Sequence, residues 1–115
     1  MSPRSIANRL RDIVAAIDAI AESERRLEAA GIGREERVRV SSAVREVAII
    51  GEAVSVLDEE LTSREPSIPW SDIARIRILL DHHYHRVDTD ILWATIDADL
   101  EPLRAAVGRL LDSLA

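Results

Sequence analysis

Hydrophobic residues recur along the chain at intervals of three, four or seven, which is the period of an amphipathic α-helix. The first such segment begins after Ser2, a suitable N-cap before Pro3, and should end near Gly31 and Gly33, where glycine permits a left-handed C-cap. Its inward positions are Ile6, Leu10, Ile13, Ile17, Ile20 and Leu27.

The second helical segment is predicted from about Arg34 to Leu61, and Gly51 interrupts its hydrophobic stripe. A glycine inside a helix costs about 1 kcal/mol relative to alanine. We therefore expect another backbone to approach closely at Gly51, and a kink in the helix is the alternative. The other members of the stripe are Val40, Val44, Val47, Ile50, Ala53, Val54, Leu57 and Leu61.

Two prolines, Pro66 and Pro69, separate this segment from the third, which should begin at Pro69 and end between His85 and Val87. Asp88 is a plausible N-cap for the fourth segment. The third helix should turn Ile73, Ile76, Leu80 and Leu79 inward, and the fourth Leu92, Ile96, Leu100, Leu103, Val107, Leu110 and Leu114. Since Pro102 interrupts the fourth segment, the helix should bend or restart there.

These lengths and short connections predict an all-α fold, an antiparallel bundle of four long helices that forms one domain over residues 1–115. The chain has no cysteine, which excludes disulfides and thiolate metal sites and favours a cytoplasmic location. No apolar run approaches the roughly 20 residues that span a bilayer, and no signal peptide is recognised. The net charge of −6 means that any phosphate contact must come from a local basic patch.

Such a patch lies at residues 75–86. All three histidines and the only tyrosine of the chain fall there, bracketed by three arginines against a single acid, Asp81. On a helix Arg77 and Tyr84 share one stripe, and Arg75 and His82 share another. Arg77 and His82 are separated by about 140° around the axis and roughly 7.5 Å along it, so both reach one ligand only if it lies across the helix or the helix loosens near His82.

The residues alone leave four interpretations open. A histidine that acts as acid or base, beside an arginine that binds phosphate, indicates RNA cleavage without a metal ion. His82 and His85, at i and i+3, with Asp81 or Asp88, would suit a metal ion. Tyr84 would suit a nucleotidyl-acceptor surface. The fourth interpretation is a solvated helix end whose dipole favours His and Arg.

The segment also resembles a known family. Arg77-x4-His82-x-Tyr84 matches the Arg-x4-His-x-Tyr signature of HepT-like proteins in the HEPN superfamily. The flanking elements of about residues 40–115 are similar too: Ile49-Ile50-Gly51-Glu52-Ala53, Ile68-Pro69-Trp70, Val87-Asp88, Leu92-Trp93 and Asp99-Leu100-x-x-Leu103.

The resemblance implies a HEPN-like helical bundle that forms two-fold dimers and acts as a metal-independent endoribonuclease toxin without a cofactor. It implies a type II/VII-like toxin–antitoxin pair, in which a minimal nucleotidyltransferase antitoxin neutralises the toxin and AMPylates the motif tyrosine. On this chain Arg77 would bind the scissile phosphate of RNA, His82 would transfer protons and Tyr84 would be modified. From their places beside this motif, RNA-binding or auxiliary roles are predicted for Arg75, Asp81, His83, His85 and Arg86.

Ile78 departs from the family pattern, which usually has a polar residue, most often Asn, after the motif arginine. The alternative is therefore a non-catalytic helical module that binds a nucleotidyltransferase partner. Each chain carries one Arg77–His82 set, and a two-fold axis beside the third helix would bring two sets into one cleft. We interpret Trp70 and Trp93 as packing anchors, and Glu52 as a structural carboxylate with a less favoured role in orienting Arg77.

Overall fold

A computed structural model describes residues 2–82 and 88–114, with the backbone alone at 81 and 82. The regular secondary structure of these residues is helical, and turns connect the helices. The predicted all-α class is confirmed. Within those ranges six helices replace the four long helices predicted. They are α1 (Pro3–Ala29), α2 (Arg37–Ser55), α3 (Glu59–Thr62), α4 (Trp70–His82), α5 (Thr89–Ala98) and α6 (Leu100–Ser113).

Three predicted helix signals are confirmed by their hydrogen bonds and backbone angles. The Ser2 hydroxyl accepts the backbone N–H of Ser5 at 3.2 Å and caps α1. Gly31 follows the end of α1 with φ of 76°. The Asp88 carboxylate accepts N–H groups from the first turn of α5.

The second predicted segment is shorter than expected, because α2 ends at Ser55 and a separate turn follows. The carboxylate of Asp58 accepts the backbone N–H of Leu61 at 3.1 Å and starts α3. Aspartate competes with helix continuation in this way, since its side chain satisfies the exposed N–H groups of a new helix. The sequence pattern did not distinguish one helix from two here.

The fourth predicted segment is divided at Asp99, three residues before the expected bend at Pro102. Proline has no N–H to donate to Ala98, and its ring would clash with that carbonyl in a continuous helix. Restarting the helix at Leu100 places Pro102 in the first turn of α6, where no such bond is required.

The hydrophobic core lies around α2, which packs against both α1 and α4, while α1 also packs against α6. Most residues predicted to face inward are buried, and Ile6, Val40, Val44, Leu57, Ile96 and Leu114 are partly buried against them. Leu79 is a correction: it is 40% exposed, because α4 buries the stripe of Ile73, Ile76 and Leu80 and Leu79 falls beside it. No helix within residues 2–82 and 88–114 is long and apolar enough to cross a membrane.

One buried charge was not predicted. Arg39 is 4% exposed and donates to the carboxylates of Glu24 and Glu28 and to the carbonyl of Ile32. These hydrogen bonds raise the pKa of its guanidinium and tie α2 to the end of α1. The signal was present in the sequence, because Arg39 lies one helical turn before Ala43 on the buried stripe.

The contact between α2 and α4 is closest at Gly51. A Cβ atom built on Gly51 would lie 3.2 Å from the carbonyl oxygen of Ile73 and 3.3 Å from the Cβ and backbone N of Arg77. The expectation of close backbone approach at this glycine is confirmed. The approach determines where the middle of α4 sits on α2.

Replacing Gly51 with alanine should destabilise the protein, because the nearest atoms belong mainly to the backbone of α4 and do not give way easily. Overpacking costs about 1–3 kcal/mol, and the gain in helix propensity returns about 1 kcal/mol. We expect Gly51→Ala to lower the melting temperature by about 4 °C. Gly108→Ala is the matched control, since nothing lies within 4 Å of the new methyl group and its melting temperature should rise. Equal shifts in both variants would contradict the close approach.

The carboxylate of Asp99, at the junction of α5 and α6, should weaken the fold at neutral pH. Burial and then repulsion from Asp72 raise the pKa of Asp99 above its ordinary value. Because the folded-state pKa is raised, the ionised form opposes folding at pH 7, and this penalty vanishes once the pH falls below about 4, where the group is protonated in both states. Asp99→Asn, which keeps the size of the side chain and removes its charge, should raise the melting temperature at pH 7 and lose that advantage near pH 4. A constant difference across this range would contradict the assignment.

Candidate functional site

Arg77 is the predicted site residue that the structure describes most completely. Its backbone lies on α4 directly over Gly51, and the next residue of α2, Glu52, approaches its side chain. The Nη1 group of Arg77 donates to Oε2 of Glu52 at 2.8 Å. The Arg77 side chain is 38% exposed and the Glu52 side chain 61% exposed, so the pair lies at the surface.

The Nε group of Arg77 is buried and has no hydrogen-bond partner among the described residues. A buried donor without a partner is energetically unfavourable, and such groups in native proteins usually have a functional or structural reason. The stem of Arg77 is therefore packed against α2, while its terminal nitrogens reach the surface beside Glu52.

Arg77 and Glu52 lie at a groove between α1 and α2 with a volume of about 570 Å³. Alanines contribute much of its wall, and charged groups of both signs surround them. The lining residues are Arg9, Asp12, Ala15, Ala16, Glu46, Ala48, Ile49, Glu52, Ala53 and Arg77. Such a groove offers a guanidinium for phosphate and carboxylates that accept N–H groups.

The contribution of α1 to this groove was not predicted. Arg9, Asp12 and Ala16 are spaced by three and four residues, so they occupy one face of α1. That spacing was available in the sequence, but nothing there indicated that the face lies beside Arg77.

The other predicted site residues are described only in part. Arg75 is exposed on α4. His82 lies on the same helix as Arg77, so the separation of about 140° and roughly 7.5 Å that an unbroken helix gives applies to their backbone positions. The side chains of Asp81 and His82, together with all of His83, Tyr84, His85 and Arg86, lie outside the described residues.

The metal hypothesis also involves residues beyond the description. Within residues 2–80 and 88–114 no group of three or more histidine or carboxylate side chains is placed to hold a metal ion. The side chains of His82, His85 and Asp81 lie outside these ranges. Asp88, the fourth residue of that hypothesis, caps α5 with its carboxylate.

Both tryptophans pack against the core, as predicted. The indole N–H of Trp70 donates to the carbonyl of Glu65 at 2.9 Å. The guanidinium of Arg34 lies 4.5 Å from the centre of the Trp93 ring, and Asp97 holds that guanidinium with two hydrogen bonds. Neither tryptophan ring lines the groove at Arg77. Glu52, for which the sequence indicated only a minor role, contacts Arg77 directly.

Comparison with known proteins assigns this sequence to a family. The family model described as "Ribonuclease HepT-like" matches residues 9–110, a range that includes the groove residues and the segment from Arg75 to Arg86. This chain belongs to the HepT-like ribonuclease family. The predicted resemblance is thus confirmed, and the HepT-like match extends beyond the similar elements of about residues 40–115 into the N-terminal helix.

Individual relatives carry ribonuclease names. A probable ribonuclease HepT from Thermococcus cleftensis is 32% identical over 107 residues, which cover 93% of this chain and 96% of that protein. A putative RNase from Methanocaldococcus jannaschii is 24% identical over 107 residues, 93% of this chain and 97% of that protein. A putative RNase from Caldanaerobacter subterraneus is 38% identical over 68 residues, 59% of this chain and 61% of that protein. No solved structure matches this HepT-like chain.

Proposed function

We propose that this protein is a metal-independent endoribonuclease in which Arg77 binds the scissile phosphate and His82 transfers protons. The observation that supports this most strongly is the position of Arg77, whose guanidinium reaches the surface at a groove in a chain of the HepT-like ribonuclease family. A guanidinium stabilises charge that develops on phosphorus, and an imidazole titrates near neutral pH and so acts as acid or base on the ribose 2′-hydroxyl. The two functions need no metal ion or cofactor.

The proposal includes a homodimer with its two-fold axis beside α4. Arg77 and His82 do not face the same direction on one unbroken helix, so two copies facing each other would let the arginine of one and the histidine of the other act on one phosphate. Exposed apolar side chains near Arg77 support such an interface: Ile78 is 42% exposed and Ile49, which lines the groove, is 44% exposed. In this arrangement α5 and α6 together act as the bent fourth helix of a HEPN-like bundle.

The proposal also includes a toxin–antitoxin pairing in the cytoplasm, in which a nucleotidyltransferase antitoxin transfers AMP to Tyr84. The spacing of Arg77 and Tyr84 by seven residues puts them on one stripe if the helix continues. An AMP group on Tyr84 would then add bulk and negative charge beside the phosphate-binding arginine. RNA binding would be opposed without any change in the fold.

Purified protein should cleave RNA in the presence of EDTA, and Arg77→Ala should lower kcat/KM by about 100-fold or more because it removes the charge that stabilises the transition state. His82→Ala should lower it by about 100-fold or more as well, through loss of proton transfer. Arg25→Ala is the matched control, since it removes an arginine from an exposed site on α1 and should retain activity. The measurement is the cleavage rate of a labelled oligoribonucleotide.

Two outcomes would contradict the nuclease. Cleavage that needs a divalent metal would reject the metal-independent reaction. No cleavage by a folded wild type that still binds a nucleotidyltransferase partner would favour the non-catalytic module, with Ile78 in place of the usual polar residue.

Ile78→Glu should convert the dimer to monomers, because two carboxylates would face each other across the proposed axis. Val38→Glu is the control: Val38 is 59% exposed, but it lies in the first turn of α2, far along the helix from Ile49. Sedimentation or light scattering measures the mass. A dimer that persists in Ile78→Glu, or a monomeric wild type, would argue against an interface at this face.

A further inference from the structure

We infer that Glu52 is a positioning residue for Arg77, which holds the guanidinium in one orientation at the groove and leaves its other terminal N–H groups, those on Nη1 and Nη2, for a phosphate. The inference rests on the proposed ribonuclease function for its substrate, but its geometry stands on the described residues alone. Nothing in the family match or in the names of the relatives assigns a role to Glu52.

The first argument is the packing of the Arg77 stem. Close approach of α4 at Gly51 presses the Cβ of Arg77 against α2, with 3.3 Å between that atom and the position a Cβ on Gly51 would take. The Nε group is buried as a result. The stem therefore has little freedom, and only the end of the guanidinium remains to be oriented.

A single hydrogen bond joins Arg77 to Glu52. Among the side chains that the structure describes, Glu52 is the one that pairs with Arg77, through one Nη1–Oε2 hydrogen bond of 2.8 Å. Arginine carries five N–H donors. One bond to a carboxylate from the adjacent helix restricts the rotation of the guanidinium, and it is the one ion pair of Arg77 within the part of the chain that the structure describes.

The other terminal N–H groups of Arg77 lie at the groove. Arg77 lines the groove, so its guanidinium end meets the space that a ligand would enter. The exposed Arg77–Glu52 pair contributes little to stability, since surface ion pairs are weak. Its role is geometric: a charged group that is already oriented needs no rearrangement when charge develops on the phosphate.

The test compares Glu52→Ala, which removes the acceptor, with Glu52→Gln, which keeps an acceptor oxygen without the charge. We expect Glu52→Ala to lower kcat by about 10-fold or more. KM for RNA should not rise, because removal of a negative charge does not weaken binding of a polyanion. Glu52→Gln should recover kcat to within about threefold of wild type, because the hydrogen bond is retained.

Asp18→Ala is the matched control. Asp18 accepts two hydrogen bonds from Arg104, at 2.8 and 3.0 Å, between α1 and α6, and both side chains lie at the surface like those of Glu52 and Arg77. The variant thus removes an interhelical ion pair and the same charge away from the groove, and its kcat should stay close to wild type. A full loss of activity in Glu52→Gln, or an unchanged kcat in Glu52→Ala, would overturn the positioning role.

A second readout does not depend on cleavage. Arg77 guanidinium signals in ¹⁵N NMR, assigned by their loss in Arg77→Lys, should show restricted rotation in wild type and Glu52→Gln and averaging in Glu52→Ala. Averaged signals in wild type would reject the inference even if the protein cleaves RNA. Restricted signals in a wild type that cleaves no RNA would keep Glu52 as a positioning residue and reject the proposed function instead.

Discussion

The close approach of α4 to α2 at Gly51 is the constraint on which the candidate site depends. A side chain at that position would meet the backbone of α4 at 3.2–3.3 Å, so glycine permits the two helices to lie in contact there. The contact places Arg77 beside Glu52 and buries the Arg77 stem. Gly51 costs α2 about 1 kcal/mol in helix propensity. The close approach that this glycine permits positions the guanidinium of Arg77.

The sequence predicted the helical class, the buried stripes and the residue of closest approach, because each depends on local period or on the special character of one residue. Gly51 in an apolar stripe and Asp88 before a helix are examples whose physical reasons act over a few residues. The breaks at Val56–Asp58 and at Asp99 were less predictable, because the hydrophobic period of the sequence continues across each of them. There the capping by Asp58 and the missing N–H of Pro102 decide the outcome.

The candidate site was predictable along α4 and much less so across helices. Arg77 was predicted from its motif, whose residues are close together in the sequence. Its contact with Glu52 depends on the register of α2 against α4, and the participation of Arg9 and Asp12 depends on how α1 lies on α2. Side-chain registers between helices follow from packing of the whole core, which hydrophobic period alone does not encode.

The central claim is that Arg77, held by Glu52, receives a phosphate of RNA. The most direct measurement is a crystal structure with an oligoribonucleotide whose 2′-hydroxyl is methylated at the cleavage position, so that it binds without reacting. A phosphate oxygen about 3 Å from the Arg77 guanidinium, with the bond to Glu52 still present, is the expected result. RNA bound elsewhere on the protein, with Arg77 in contact with Glu52 and no phosphate, would contradict the account.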